Sequence, residues 1–110
     1  MAFETSTIPL FDRQLRRLAK KFPSLVKEYA TLLEELKDSP QTGTGIGHGC
    51  YKIRLAIASK GTGKRGGARV ITYVRVINET VYLLAIYDKS EQSSLSDQQV
   101  LALLGLLTDE

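Results

Sequence analysis

Cysteine, histidine and long apolar runs are nearly missing from this 110-residue chain, and each shortage excludes a class of protein. Cys50 is the only cysteine and His48 the only histidine. A single thiol cannot build an intrachain disulfide framework and suits a reducing, cytoplasmic compartment. With no further histidine or cysteine, the two cannot complete a soft tetrahedral metal site, so neither metal nor cofactor is expected. Nucleophilic Cys–His chemistry stays open on paper, against plain burial of Cys50 as a small side chain at the start of a strand. No apolar run approaches the roughly 18 residues a membrane helix needs, and Met1–Leu10 lacks the charged-then-apolar order of a signal peptide. Acid is the most telling shortage. No Asp or Glu occurs from Ser39 to Asn78, yet seven of the fifteen basic residues fall there: Lys52, Arg54, Lys60, Lys64, Arg65, Arg69 and Arg75. A net charge of +3 conceals this excess. Such a stretch attracts polyanions, phosphate above all; a solvated hairpin whose charges only maintain solubility is the plainer alternative.

The length fits one domain over residues 1–110, with a core that needs no staples. Phe3–Leu10, with Thr5, Thr7, Ile8 and a late Pro9, suits a short edge strand. From Asp12, a candidate N-cap, Leu15, Leu18, Ala19 and Phe22 recur at helical spacing. Arg13, Arg16, Arg17, Lys20 and Lys21 fill the other face, which can contact RNA, bind an acidic partner or simply be solvated. Pro23 interrupts this helix, and Leu25, Tyr29, Leu32, Leu33 and Leu36 mark a second one ending before Pro40. Gln41–Gly49 reads as a loop because its glycines disfavour regular structure. Period-two alternation then predicts strands over Cys50–Ile57, Ala68–Ile77 and Val81–Asp88. Ser96 with Gln99 matches a capping box, opening a helix striped by Val100, Leu101, Leu103, Leu104 and Leu107. The expected class is α+β: an antiparallel sheet of about four strands on an N-terminal helical hairpin, plus a C-terminal helix.

Two glycine patterns do not amount to nucleotide-binding motifs. His48 stands where the third glycine after Gly43 and Gly45 belongs, and Arg65 stands where a phosphate loop containing Gly63 and Lys64 needs Ser or Thr. Both precede strands. The strand chemistry is more specific. Alternation puts Lys52 and Arg54 on one face, and Arg69 joins them if the hairpin register allows. Neighbouring cations disfavour the charged form of a lysine, so a lysine in this setting can serve as a general base. Arginine stays protonated and is limited to holding phosphate and stabilising developing negative charge. Such a set can cleave RNA without metal, with the 2′-OH of the substrate as nucleophile.

At these residues the chain resembles the RelE/HigB-like toxins of type II toxin–antitoxin systems. The likeness runs from Phe11-Asp12-Arg13 to the last helix. It is carried by Tyr51-Lys52-Ile53-Arg54-Leu55, by Ser59-Lys60-Gly61 through Gly63-Lys64-Arg65-Gly66-Gly67-Ala68-Arg69-Val70-Ile71, and by Val81-Tyr82-Leu83-Leu84 through Ile86-Tyr87-Asp88-Lys89-Ser90. The resemblance implies a RelE-like, microbial-RNase-like fold. It also implies cleavage of mRNA on the translating ribosome to a 2′,3′-cyclic phosphate and a 5′-OH, and neutralisation by a cognate antitoxin bearing a helix-turn-helix. It assigns catalysis to Lys52, Arg54 and Arg69, with Lys89 as the nearest counterpart of a further basic residue; on the nuclease reading, Lys60, Lys64, Arg65 and Arg75 are the expected RNA contacts. The family's C-terminal tyrosine, which stacks on or orients the substrate, has no counterpart after Tyr87, which ends a strand and is either its substitute or a core residue. A catalytically silent member, binding RNA or a protein partner in autoregulation with an antitoxin, is the alternative function.

Overall fold

The computed structural model describes residues 2–61 and 63–107, with the side chains of Lys64 and Arg65 outside that description. The first β-formers make a short strand, β1 (Glu4–Thr7), and Pro9 opens the first helix, α1 (Pro9–Lys21). The expected cap at Asp12 is therefore displaced. The proline occupies the helix start, where its missing N–H is no loss, and Asp12 lies in the first turn beside the positive end of the helix dipole. After the Phe22–Pro23 joint comes α2 (Leu25–Asp38). Phe11, Leu18, Leu25, Leu32 and Leu36 are at most 1% exposed, the buried stripe that a 3.6-residue period requires.

The glycine-rich stretch is not the expected loop throughout. Thr44–Gly47 forms an edge strand, β2, paired antiparallel with β3 (Cys50–Leu55), with a register slip between Gly45 and Gly47. Gly43 makes this possible. Its φ is +101°, and a Cβ there would lie 2.5 Å from the Lys52 carbonyl oxygen. A 3-10 turn (Ala58–Lys60) and one helical turn, α3 (Gly63–Gly66), lead to β4 (Ala68–Arg75), then β5 (Thr80–Asp88) and α4 (Asp97–Leu104). The sheet order is β1-β5-β4-β3-β2, with β1 parallel to β5 and the other neighbours antiparallel. The fold is α+β as expected, with five strands in place of about four.

Strand alternation divides the sheet into two faces. Ile53 and Leu55 share a cleft with Leu32, which puts α2 on their side. Lys52 and Ile71 share a recess with Leu95 and Val100, which puts α4 on the other. The Ser96–Gln99 capping box is present in full, with Ser96 N–H donating to Gln99 Oε1 at 2.8 Å and Gln99 N–H to Ser96 Oγ at 3.2 Å. Val100 and Leu103 are buried, whereas Leu101, expected in the same stripe, is 46% exposed. Among the described residues no helix is long and apolar enough to cross a membrane.

Cys50 is buried, and burial pushes its thiol up to about 11. It is therefore a core residue and a poor nucleophile. A disulfide-exchange reagent at pH 8 is expected to leave the folded protein unmodified and to label Cys50 fully in denaturant. Rapid labelling of the folded chain would contradict this placement.

Candidate active site

The register of β3 on β4 decides which cations meet. Arg54 lies directly opposite Arg69, and Arg69 lies directly opposite Tyr87 on β5. Directly opposed residues in an antiparallel sheet share a face, with Cβ atoms about 5 Å apart. Lys52 is two residues before Arg54, hence on the same face about 7 Å along the strand, and stands opposite Ile71. Lys52, Arg54 and Arg69 thus form one cationic corner on the side that carries α4.

Their environments differ. Arg54 is exposed and Lys52 half-buried, lining the recess of about 160 Å³ under the start of α4. Arg69 is only 3% exposed, and its Nη1 donates to the Ala68 carbonyl at 3.1 Å. Burial holds the Arg69 guanidinium below its ordinary pKa, the charge of Arg54 adds to this, and the nearby Tyr87 opposes it. A guanidinium beside a second one adds to the positive potential of this corner, which suits the corner to an incoming anion. Tyr87 is 6% exposed, and burial pushes its phenol up against the opposing effect of Arg69. A ring so covered offers no face on which a base can stack.

Lys60 is placed differently from the expected RNA contact. Its Nζ lies 2.6 Å from Asp88 Oδ1 and 2.7 Å from the Gly66 carbonyl, with the ammonium 5.4 Å from the Phe22 ring centroid. The Lys60 side chain is 12% exposed and that of Asp88 1%. Burial alone would raise the Asp88 carboxyl. The hydrogen bonds from Lys60 and from the Ser90 N–H and hydroxyl outweigh it, so the group sits below its ordinary value. The reason is topological: β5 brings an acid to a cation from a stretch that contains none.

The connection between Lys60 and β4 is pinned at its far end too. Lys89 N–H donates to the Gly67 carbonyl at 3.0 Å, setting this half-buried lysine beside the start of β4 and two residues past Tyr87. A Cβ on Gly67 would collide with the Leu55 carbonyl oxygen and lie 3.1 Å from Ala56 Cα, all of it backbone that cannot swing away. Gly67→Ala is expected to destabilise by about 2 kcal/mol in urea denaturation, while an unchanged midpoint would refute the tight approach of these segments. Lys64 and Arg65 lie on α3, and their side chains fall outside the described residues.

With that geometry in place, comparison with known proteins gives a consistent answer. A model of the RelE toxin of the RelE/RelB toxin–antitoxin system matches residues 12–107. The chain belongs to the RelE toxin family. The fold is also that of E. coli toxin RelE. A double arginine-to-alanine mutant in the free state is 19% identical, with a TM-score of 0.59 over 84% of this chain and 88% of that one. The isolated E. coli RelE toxin is 17% identical, with a TM-score of 0.60 over 96% of this chain and 100% of that one. Membership in such a two-component family implies an antitoxin partner.

In this RelE-family chain the remaining expected site residues are dispersed. Arg75 lies at the far end of β4, opposite Thr80 and six residues beyond Arg69, beside His48, Tyr73, Leu104 and Leu107. That is about 20 Å along the strand, so Arg75 does not join the cationic corner. Arg13, Arg16, Arg17, Lys20 and Lys21 line a shallow groove on α1, where Glu91 accepts from Arg17 at 2.8 Å and stands 3.9 Å from Lys21. One contact escaped the sequence reading. His48, at φ +58° in the β2–β3 turn, meets Asp97 at 2.9 Å and ties that turn to the first residue of α4. The docking of α4 on the sheet brings these two residues together, and no local spacing signals it.

Proposed function

We propose that this toxin is an mRNA endoribonuclease acting on the translating ribosome. The observation that carries the reading is the direct opposition of Arg54 and Arg69 with Lys52 on the same face. Lys52 takes the proton from the 2′-OH adjacent to the scissile phosphate, Arg54 and Arg69 hold the phosphate and stabilise the phosphorane, and Lys89 protonates the leaving 5′-oxygen. The products are a 2′,3′-cyclic phosphate and a 5′-OH, reached with charge supplied by side chains. Arg54 is open to approach, and Lys64, Arg65 and the α1 cations are further contacts to RNA in this reading. Arg75 joins them as a peripheral phosphate contact. The cognate antitoxin, with a helix-turn-helix, neutralises the toxin in the cytoplasm, and residues 1–110 act as one domain.

The near-complete burial of Arg69 favours a second reading, a catalytically silent member of the family that acts through an RNA or protein partner. Inducible expression separates the two. The nuclease reading expects growth arrest that vanishes with Lys52→Ala at equal protein level, whereas undisturbed growth with the wild-type chain supports the silent one.

A further inference from the structure

The hydroxyl of Tyr87 is buried and has no hydrogen-bond partner among the described residues. Folded proteins seldom leave such a group unpaired, because nothing replaces the water it gives up, and a phenylalanine would fill the same volume without that cost. Its position gives the hydroxyl a use. Tyr87 stands directly across from Arg69, which stands across from Arg54, so a neutral donor ends a row of two cationic ones. A group that suits all three is an oxyanion with several acceptor oxygens, on which side chains from neighbouring strands can converge, and a phosphodiester is one. Burial keeps the phenol protonated, hence a donor.

The Arg69 and Tyr87 end of the row is covered in the isolated chain, while Arg54 is exposed. After β5 the chain passes Glu91, held by Arg17, and returns at Leu95 beside Lys52 and Ile71. Residues 92–94 therefore run from the α1 side to the face that carries Lys52 and Ile71. They have no regular structure, and Ser93 and Ser94 are exposed. We propose that Tyr87 is a phosphate-binding residue of the nuclease site: with the 92–94 segment lifted, its O–H donates to a non-bridging oxygen of the scissile phosphodiester held by Arg69. This rests on the nuclease reading and adds to it a residue that grips the phosphate in place of stacking on a base.

The test is Tyr87→Phe in the full chain, with two readouts: the melting temperature of the free protein, and single-turnover cleavage of mRNA on programmed ribosomes beside wild type and Lys52→Ala. The expected result is a melting temperature equal to or above wild type, together with cleavage slowed about 10- to 100-fold. A lowered melting temperature would mean that the hydroxyl has a partner within the fold, and the proposal fails. Cleavage within twofold of wild type, with Lys52→Ala inactive, overturns the role of Tyr87 and leaves the nuclease reading intact. If wild type itself does not cleave, the nuclease reading falls and takes this proposal with it.

Discussion

Asp88→Ala is expected to destabilise the protein by about 3 kcal/mol, because it strands the largely covered Lys60 ammonium without its carboxylate. For a chain of this size that lowers the melting temperature by roughly 10–20 °C. The pair is not thereby a large net stabiliser. Lys60→Met combined with Asp88→Leu should recover most of the loss, since removing both charges also removes their desolvation cost. The pH dependence follows from the depressed Asp88 carboxyl. Its stabilisation is fully present above the ordinary aspartate value near 3.9 and is lost as pH falls through the lower folded-state value. Wild type should therefore lose stability below about pH 4 more steeply than the double variant. Equal acid limbs would show that Asp88 titrates normally. The pair also fixes the connection that delivers Arg69 to the sheet, so Asp88→Ala should weaken any activity of the toxin beyond what the unfolded fraction explains.

The second large effect concerns the cationic corner. Lys52→Ala is expected to reduce mRNA cleavage by about 10²- to 10⁴-fold, the range for removing a positioned general base. Arg69→Ala should cost about 10²- to 10³-fold, as for a lost oxyanion donor. Their stability effects differ. Lys52 is half-buried on an edge-proximal strand and its loss should leave the melting temperature nearly unchanged. Arg69 is 3% exposed and its removal empties space in the sheet face. Arg69→Lys separates charge from shape: one ammonium keeps the charge but cannot present the planar two-point contact, so activity should stay well below wild type. Full activity in either alanine variant would remove that residue from the mechanism.

Much of this was legible in the sequence because strands β3, β4 and β5 alternate cleanly and sit next to one another in both chain and sheet. Lys52 and Arg54 were assigned to one face from spacing alone, and the register that adds Arg69 follows from a hairpin. Elements decided by distant partners are not legible there. β2 was hidden because its glycines carry no strand propensity, and its pairing with β3 forms it. Pro9 suits the end of an edge strand by composition, yet its fixed φ and absent N–H suit a helix start equally well, and there it stands. Lys60 looked like a free cation because its neighbours in sequence hold no acid, while Asp88 reaches it from 28 residues away. Arg75 shared composition with the site but not location. Tyr87 was ambiguous between core and substrate. Its burial answers the first possibility, and its unpartnered hydroxyl raises the second again.

The most direct measurement is the chemistry of the RNA ends left on ribosome-bound mRNA by wild type and by Lys52→Ala. Side-chain acid–base cleavage through the 2′-OH predicts 2′,3′-cyclic phosphate and 5′-OH ends that disappear in the variant. Fragments ending in 3′-OH and 5′-phosphate, or cyclic phosphate ends made equally well without Lys52, would contradict the account.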